Sequence, residues 1–333
     1  MDEQKTVWVN LDPNKVDLTP IITRCNQAGW RCITEDVGVD QKKSVTHALE
    51  ADAIVSIGER WGDAQLAAIA GGNRIIIRYG AGLDNVDIPA ATRHRIPVAN
   101  LPGMNSPAVA EIALLHILNL GRRFCYSVNG VGKGIWPCSI PGNELDGKLL
   151  GLIGFGNIAR QLVRITSGFH RKVIAYDAYL NDAGRTFAKE YGVELVNSPE
   201  EIYRRADIVS LHIPFTPANK GIVNAECFRL MKTTAYLVNT CRGGVINEED
   251  LIVALQTGAI RGFGADVMCQ EPPDPDNPLL HMDNAFITSH LGALAVESEE
   301  RSQLLIADII ADHFAGRVHK NVVNPETVTH KKN

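Results

Sequence analysis

Residues 154–159, GFGNIA, set two glycines and an alanine at G-x-G-x-x-A spacing, directly after the apolar run LLGLI and before the helix-like NIARQLV. Strand, glycine turn and helix in that order can wrap a pyrophosphate. Gly154 makes the tight turn, Gly156 lets the main chain approach the phosphates, and Ala159 permits close packing of helix on strand. The helix N-terminus adds unpaired N–H groups and a positive dipole end. The following strand, KVIAYDA, ends in Asp177, about twenty residues beyond the glycines, where a carboxylate accepts hydrogen bonds from an adenosine ribose. The same charge repels a 2′-phosphate, so the expected cofactor is NAD rather than NADP. Ligands of an open parallel sheet lie beyond the carboxyl ends of its strands. Four further polar groups stand at such ends: HIP at 212–214, NTCRGG at 239–244, DVMCQEPP at 266–273 and SHLGA at 289–293.

Two series of short apolar runs alternating with helix-period segments supply those strand ends, the pattern of parallel strands joined by crossover helices. The first runs from TVWVN through RCITE, DAIVSIG and NRIIIRYG to IPVAN, within residues 1–101. A long helix is then expected from NSPAVAEIALLHILNLG, with Ser106 as N-cap, Pro107 at the first helical position and Gly121 as its stop. Its apolar residues cover much of its circumference, so it should be buried. The stretch FCYSVNGVGKGIWPCSIPGNEL reads as an extended loop or arm. The second series comprises KLLGLIGFG, KVIAYD, IVSLHIP, AYLVNT, GFGADV and AFITS. Ser198 and Glu201 have capping-box spacing before one of its helices, and NEEDLIVALQTG should start at Asn247 and stop at Gly258. A long amphipathic helix after residue 292 closes the chain.

A length of 333 residues with 45% hydrophobic content favours two domains. The net charge of −5 argues against a nucleic-acid surface, which needs a concentrated positive field. No apolar segment approaches the roughly 18 residues of a membrane helix and the N-terminus does not read as a secretory signal, so a cytoplasmic protein is expected. Cys25, Cys32, Cys125, Cys138, Cys227, Cys241 and Cys269 form no C-x-x-C pair, and the ten histidines show no ligand spacing. Neither a metal site nor a disulfide framework is expected.

Nearly the whole chain resembles the D-isomer-specific 2-hydroxyacid dehydrogenases, which include D-3-phosphoglycerate dehydrogenase and hydroxypyruvate or glyoxylate reductase. The likeness lies in RYGAGLDNVD at 78–87, NSPAVAE, LIGFGNIA, YDAYL, LHIPFTP, LVNTCRGGVINEEDL, GFGADVMCQEPP and SHLGA, in that order. It implies a catalytic arginine at Arg242, a glutamate at Glu271 and a histidine at His290. Oxidising a 2-hydroxy acid requires a base of near-neutral pKa facing the hydroxyl, which histidine provides. Glu271 would hold the other ring nitrogen, and Arg242 would bind the substrate carboxylate and C2 oxygen through its planar donors. The resemblance further places the substrate carboxylate on backbone N–H groups of Tyr79, Gly80, Ala81 and Gly82. For the cofactor it implies contacts from Phe155, Asn157, Ile158, Asp177, His212, Ile213, Pro214, Thr240, Cys241, Arg242, Asp266, His290 and Gly292, with Asp266 holding the nicotinamide carboxamide.

The same resemblance implies two α/β domains of Rossmann-like and flavodoxin-like type, with the active site in the cleft between them. Residues 102–292 would bind NAD, and residues 1–101 with 293–333 would bind substrate. A homodimer would form through the arm at 122–147. The expected partner is a small 2-hydroxy or 2-oxo acid, with 3-phosphoglycerate, hydroxypyruvate and glyoxylate foremost; Arg78 would meet a second anionic group. Since the chain ends near Asn333, an appended regulatory domain is not expected. Cys241 stands where alanine is frequent and is expected to be a small packing residue, with oxidation sensitivity beside Arg242 as the alternative; Ser289 stands where proline often precedes the histidine. The alternative is an NAD(H)-responsive scaffold resembling the C-terminal-binding proteins, to which NRIIIRYGAGLDNVDI and HILNLGRR are similar.

Overall fold

Aliphatic and β-branched runs bounded by glycine and asparagine form short parallel strands in a computed structural model that describes residues 4–136 and 141–328. Two compact units result. One runs to Asn105 and resumes at Ala295; the other comprises Ser106–Leu294.

The first unit holds β1 (Thr6–Val9), β2 (Arg31–Thr34), β3 (Ala53–Ser56), β4 (Ile75–Arg78) and β5 (Val98–Ala99), in the order β2-β1-β3-β4-β5. Every residue of β1 and β3 is buried, as expected of parallel strands covered on both faces. The helix Val296–Phe314 returns to this unit, packing Ile306, Ile309 and Ile310 into its core with Val7, Val9 and Ile77.

The second unit holds β6 (Leu149–Ile153), β7 (Lys172–Tyr176), β8 (Glu194–Leu195), β9 (Ile208–Leu211), β10 (Tyr236–Asn239), β11 (Gly262–Ala265) and β12 (Ala285–Ile287). Their order is β12-β11-β10-β9-β6-β7-β8, all pairs being parallel. The order reverses direction at β6, beside the GFGNIA turn. That is the topological switch point at which such sheets bind ligands.

Local readings changed in three places. The long helix spans Ser106–Arg122, so Ser106 lies within it rather than capping it, and Arg123 ends it in the left-handed region at φ +53°. The arm expected to be extended forms a helix at Phe124–Gly132 that buries none of its residues, so local apolar spacing from Phe124 to Val128 prevails over its glycines. The Ser198–Glu201 capping box does not form. Ser198 bonds the Glu200 carboxylate instead, while Glu201 Oε1 accepts from Asn197 N at 3.1 Å. By contrast, Asn247 caps Glu248–Gln256 by accepting from Asp250 N at 3.2 Å, and Gly258 follows at φ +70°. Cys138 lies outside the described residues.

Close approach of helix to sheet makes one glycine in β6 obligatory. A Cβ at Gly151 would lie 2.5 Å from Ile202 Cγ2 and 2.8 Å from Ala206 Cβ. Gly151→Ala is therefore expected to destabilise the protein by about 1–3 kcal/mol through overpacking. A lowered urea midpoint checks this; an unchanged midpoint contradicts it.

Candidate active site

The glycine turn after β6 is pinned at its start, where Gly154 N donates to the Tyr176 carbonyl at 2.8 Å. Gly154 adopts φ +90°, and any side chain there would run into the His212 carbonyl. Gly156 is the N-cap of the helix Asn157–Ile165; it has no side chain to cap the first turn, and a Cβ at this position would meet nothing within 4 Å. Phe155 is 2% exposed and packs edge-on against Phe187, so only its backbone faces the turn, and Ile158 packs against the core. Asp177, expected to meet the ribose, braces the turn itself. Its Oδ2 accepts from Phe155 N at 2.7 Å and its Oδ1 from Tyr179 N at 2.8 Å, tying the turn to the end of β7.

Two buried polar atoms at neighbouring strand ends lack protein partners, His212 Nδ1 and Thr240 Oγ1. His212 Nε2 lies 2.9 Å from Ser210 Oγ, and burial of the ring pushes its pKa down to about 4, so it stands as neutral imidazole. Ile213 lies beside Gly154, and the Pro214 carbonyl accepts from Asn219 Nδ2 at 2.6 Å. An uncapped helix N-terminus, open space at Gly156 and two orphaned polar atoms fit a dinucleotide.

Asn239, at the end of β10 and 0% exposed, builds the turn that carries Arg242. Its Oδ1 accepts from Cys241 N and Sγ, each at 3.0 Å, and its Nδ2 donates to the Arg242 carbonyl at 3.0 Å. Arg242 Nη1 donates to the Cys241 carbonyl at 2.7 Å. A side chain at Gly243 would enter the backbone of Met268 and Cys269, so this turn lies flush against the loop leading to Glu271. Burial pushes the Cys241 thiol up to about 11. That favours the neutral thiol, and the side chain packs against the core of this unit.

Glu271 and His290 meet directly. Glu271 Oε1 accepts from Met268 N at 2.9 Å, which pins the carboxylate, and Oε2 lies 2.7 Å from His290 Nδ1. A carboxylate accepts, so Nδ1 carries hydrogen and Nε2 is the nitrogen left to exchange protons. The His290 side chain is 49% exposed and hence reachable by a substrate. Its backbone sits in the left-handed region at φ +58°, held by Asp266, which is 2% exposed. Asp266 Oδ1 accepts from Leu291 N at 2.8 Å and Oδ2 from Gly292 N at 2.7 Å. A Cβ at Gly292 would come within 2.9 Å of Oδ2.

In the first unit, the loop after β4 has its carbonyls engaged and its N–H groups open. Arg78 Nη1 donates to the Tyr79 carbonyl, Leu101 N to Gly80 O at 2.9 Å, and Asn100 Nδ2 to Ala81 O at 2.7 Å. Among the described residues the N–H groups of Gly80, Ala81 and Gly82 make no hydrogen bond. Gly80 adopts φ +136°, and the Arg78 guanidinium occupies the space a side chain there would need. The Tyr79 hydroxyl donates to Glu299, and burial together with that carboxylate pushes its pKa up. Among the described residues no cluster of His, Cys, Asp and Glu could hold a metal, and no helix is long and apolar enough to cross a membrane. Asn239, Thr288 and His116 were not singled out from the sequence. The only signal for Asn239 is a polar residue at the end of a buried strand.

The family model described as "D-isomer specific 2-hydroxyacid dehydrogenase, NAD binding domain" matches residues 114–292. A D-3-phosphoglycerate dehydrogenase from Methanocaldococcus jannaschii is 38% identical over 260 residues, covering 78% of this chain and 49% of that protein. A glyoxylate reductase from Korarchaeum cryptofilum is 33% identical over 293 residues, covering 86% of this chain and 87% of the reductase. The apo-structure of D-lactate dehydrogenase from Escherichia coli superimposes with a TM-score of 0.82 at 26% identity, over 96% of this chain and all of that one. The chain thus spans about half the length of the phosphoglycerate dehydrogenase it matches. With the family's NAD-binding-domain model matching residues 114–292 and a relative 33% identical over most of both chains, the chain belongs to the D-isomer specific 2-hydroxyacid dehydrogenase family.

Proposed function

We propose that the protein interconverts a D-2-hydroxy acid and its 2-oxo acid using NAD, with His290 as acid and base. The observation that carries this reading is the 2.7 Å contact between His290 Nδ1 and Glu271 Oε2, which dedicates Nε2 to proton exchange in a partly exposed site. When bound, NAD supplies hydride exchange with C2. In reduction, protonated His290 delivers its Nε2 proton to the C2 oxygen, and Glu271 stabilises the imidazolium until that transfer. In oxidation, neutral Nε2 removes the hydroxyl proton. Arg242 binds the substrate carboxylate and polarises the C2 oxygen, while the N–H groups of Gly80, Ala81 and Gly82 receive carboxylate oxygens. The Asn157–Ile165 helix N-terminus takes the pyrophosphate, Asp177 the ribose and Asp266 the carboxamide.

Residues 1–101 with 293–333 are read as substrate-binding and residues 102–292 as cofactor-binding. For substrate, the reading favours 3-phosphoglycerate, hydroxypyruvate or glyoxylate. The phosphoglycerate dehydrogenase and glyoxylate reductase relatives support this choice. A homodimer through the 122–147 arm has support in the exposed apolar side chains Phe124, Val128, Val131, Ile135 and Trp136. A second copy would cover such a row. The cysteines of the described residues are all free, in keeping with a reducing cytoplasm.

His290→Ala and Arg242→Ala are each expected to lower kcat by about a hundredfold or more while NADH still binds. Near-normal turnover in His290→Ala would falsify the assignment. Asp177→Ala should weaken NADH binding by about tenfold, on the order of one charge-assisted hydrogen bond, and narrow the preference over NADPH. Unchanged NADH affinity contradicts its ribose role. NADH-linked reduction of phosphohydroxypyruvate, hydroxypyruvate, glyoxylate and pyruvate identifies the substrate; tight NADH binding without turnover on any 2-oxo acid favours the scaffold.

A further inference from the structure

A line of polar groups runs from the His290 turn back into the helix Ser106–Arg122. Asp266 Oδ1, which accepts from Leu291 N, also lies 2.5 Å from Thr288 Oγ1. Thr288 Oγ1 lies in turn 3.1 Å from Nε2 of His116, a residue 2% exposed on that helix. The donors and acceptors can be assigned in order. A carboxylate receiving two backbone N–H groups takes the single hydroxyl hydrogen of Thr288, whose alternative acceptor, the Ala265 carbonyl, is 3.5 Å away. The Thr288 oxygen is then an acceptor, so His116 must donate to it from Nε2, which fixes the tautomer of the buried ring. Burial disfavours a second proton on His116, although the Asp266 charge opposes this in part. Gly264 on β11 makes room for the ring, since a Cβ there would lie 2.9 Å from His116 Cβ and 3.0 Å from its Nδ1.

The line supplies something that Asp266 lacks alone. Leu291 and Gly292, whose N–H groups it receives, belong to the same turn as His290. The Asp266 backbone is fixed by its N–H donating to the Asn239 carbonyl at 3.0 Å, which leaves the angle of the carboxylate to be set. A non-glycine residue in the left-handed region persists only where its surroundings over-determine it, and His290 is such a residue. Thr288 and His116 set that angle by fixing the Asp266 carboxylate to a buried helix. Oδ1 is saturated by Thr288 and Leu291, whereas Oδ2 receives only Gly292 and keeps one acceptor direction.

We propose that His116 and Thr288 are positioning residues for His290, acting through Asp266 to hold the acid–base ring at its working angle. The proposal rests on the reading of His290 given above. Thr288→Val and His116→Leu are expected to lower kcat for 2-oxo acid reduction by on the order of ten- to a hundredfold, as small misplacements of a reacting group do. The KM for the 2-oxo acid should move less than about threefold, because its carboxylate is bound elsewhere. Thr288→Ser keeps the hydroxyl and His116→Gln keeps an N–H near the Nε2 position, so each should regain most of the lost kcat. Wild-type kcat in Thr288→Val, or equal losses in Thr288→Val and Thr288→Ser, overturns the proposal.

A second measurement is independent of turnover. Nitrogen NMR of histidine-labelled protein, with the His116 signal identified by its loss in His116→Gln, should show the Nε2–H tautomer at neutral pH and its disturbance in Thr288→Val. The Nδ1–H tautomer, or an undisturbed signal, overturns the line of hydrogen bonds. An inactive wild type with the expected His116 signal would instead overturn the reading of function while leaving the line intact.

Discussion

The hydrogen bond between His290 Nδ1 and Glu271 Oε2 assigns the strand ends of the second unit their chemistry. A histidine alone has two equivalent choices for its proton. A carboxylate on one nitrogen removes that choice and stabilises the charged ring. Much of the nearby geometry serves to place these two groups within 2.7 Å of one another. Glu271 is fixed by Met268 N, while Asp266 closes the turn that presents His290. Gly243 lets the Arg242 turn lie against the same Met268 backbone, so the guanidinium and the acid–base pair share one support.

Glycine recurs at this end of the sheet because backbone must touch backbone there. Gly154 faces the His212 carbonyl, Gly243 the Met268 carbonyl and Gly292 the Asp266 carboxylate. Any side chain at these positions would separate loops that come from different strands. Gly156 answers a different need, since no protein atom lies near it and its surroundings are open. Three glycines thus hold these loops together, and one leaves open space at the start of a helix.

How legible each feature is in the sequence follows from how far its partners lie along the chain. Strands such as TVWV and YLVN are readable because both faces are buried, leaving a compact apolar run between turn residues. The GFGNIA turn and Asp177 are readable for the same reason, as neighbours within one strand–helix–strand unit. Local patterns mislead where a nearer competitor exists: Ser198 bonds Glu200 rather than joining Glu201 in a capping box. Thr288 and His116 are separated by 172 residues, and no spacing rule joins them. Asn239 was visible inside NTCRGG, but nothing local shows that its side chain closes the turn beneath Arg242. The two-residue β8 offers too few side chains for any period to register.

The loop after β4 shows the same principle. Among the described residues its N–H groups at Gly80, Ala81 and Gly82 make no hydrogen bond. The side chains around it are held by distant partners. The Tyr79 hydroxyl donates to Glu299 on the helix Val296–Phe314, and Gln303 on that helix donates to the Asp17 carbonyl at 2.7 Å. The Arg78 guanidinium bends back onto the Tyr79 carbonyl, which ties its direction to the backbone course at Gly80. A substitution in the C-terminal helix can thereby alter the loop without touching a residue that resembles a substrate ligand. The course of that loop therefore depends on the packing of the helix as well as on its own residues.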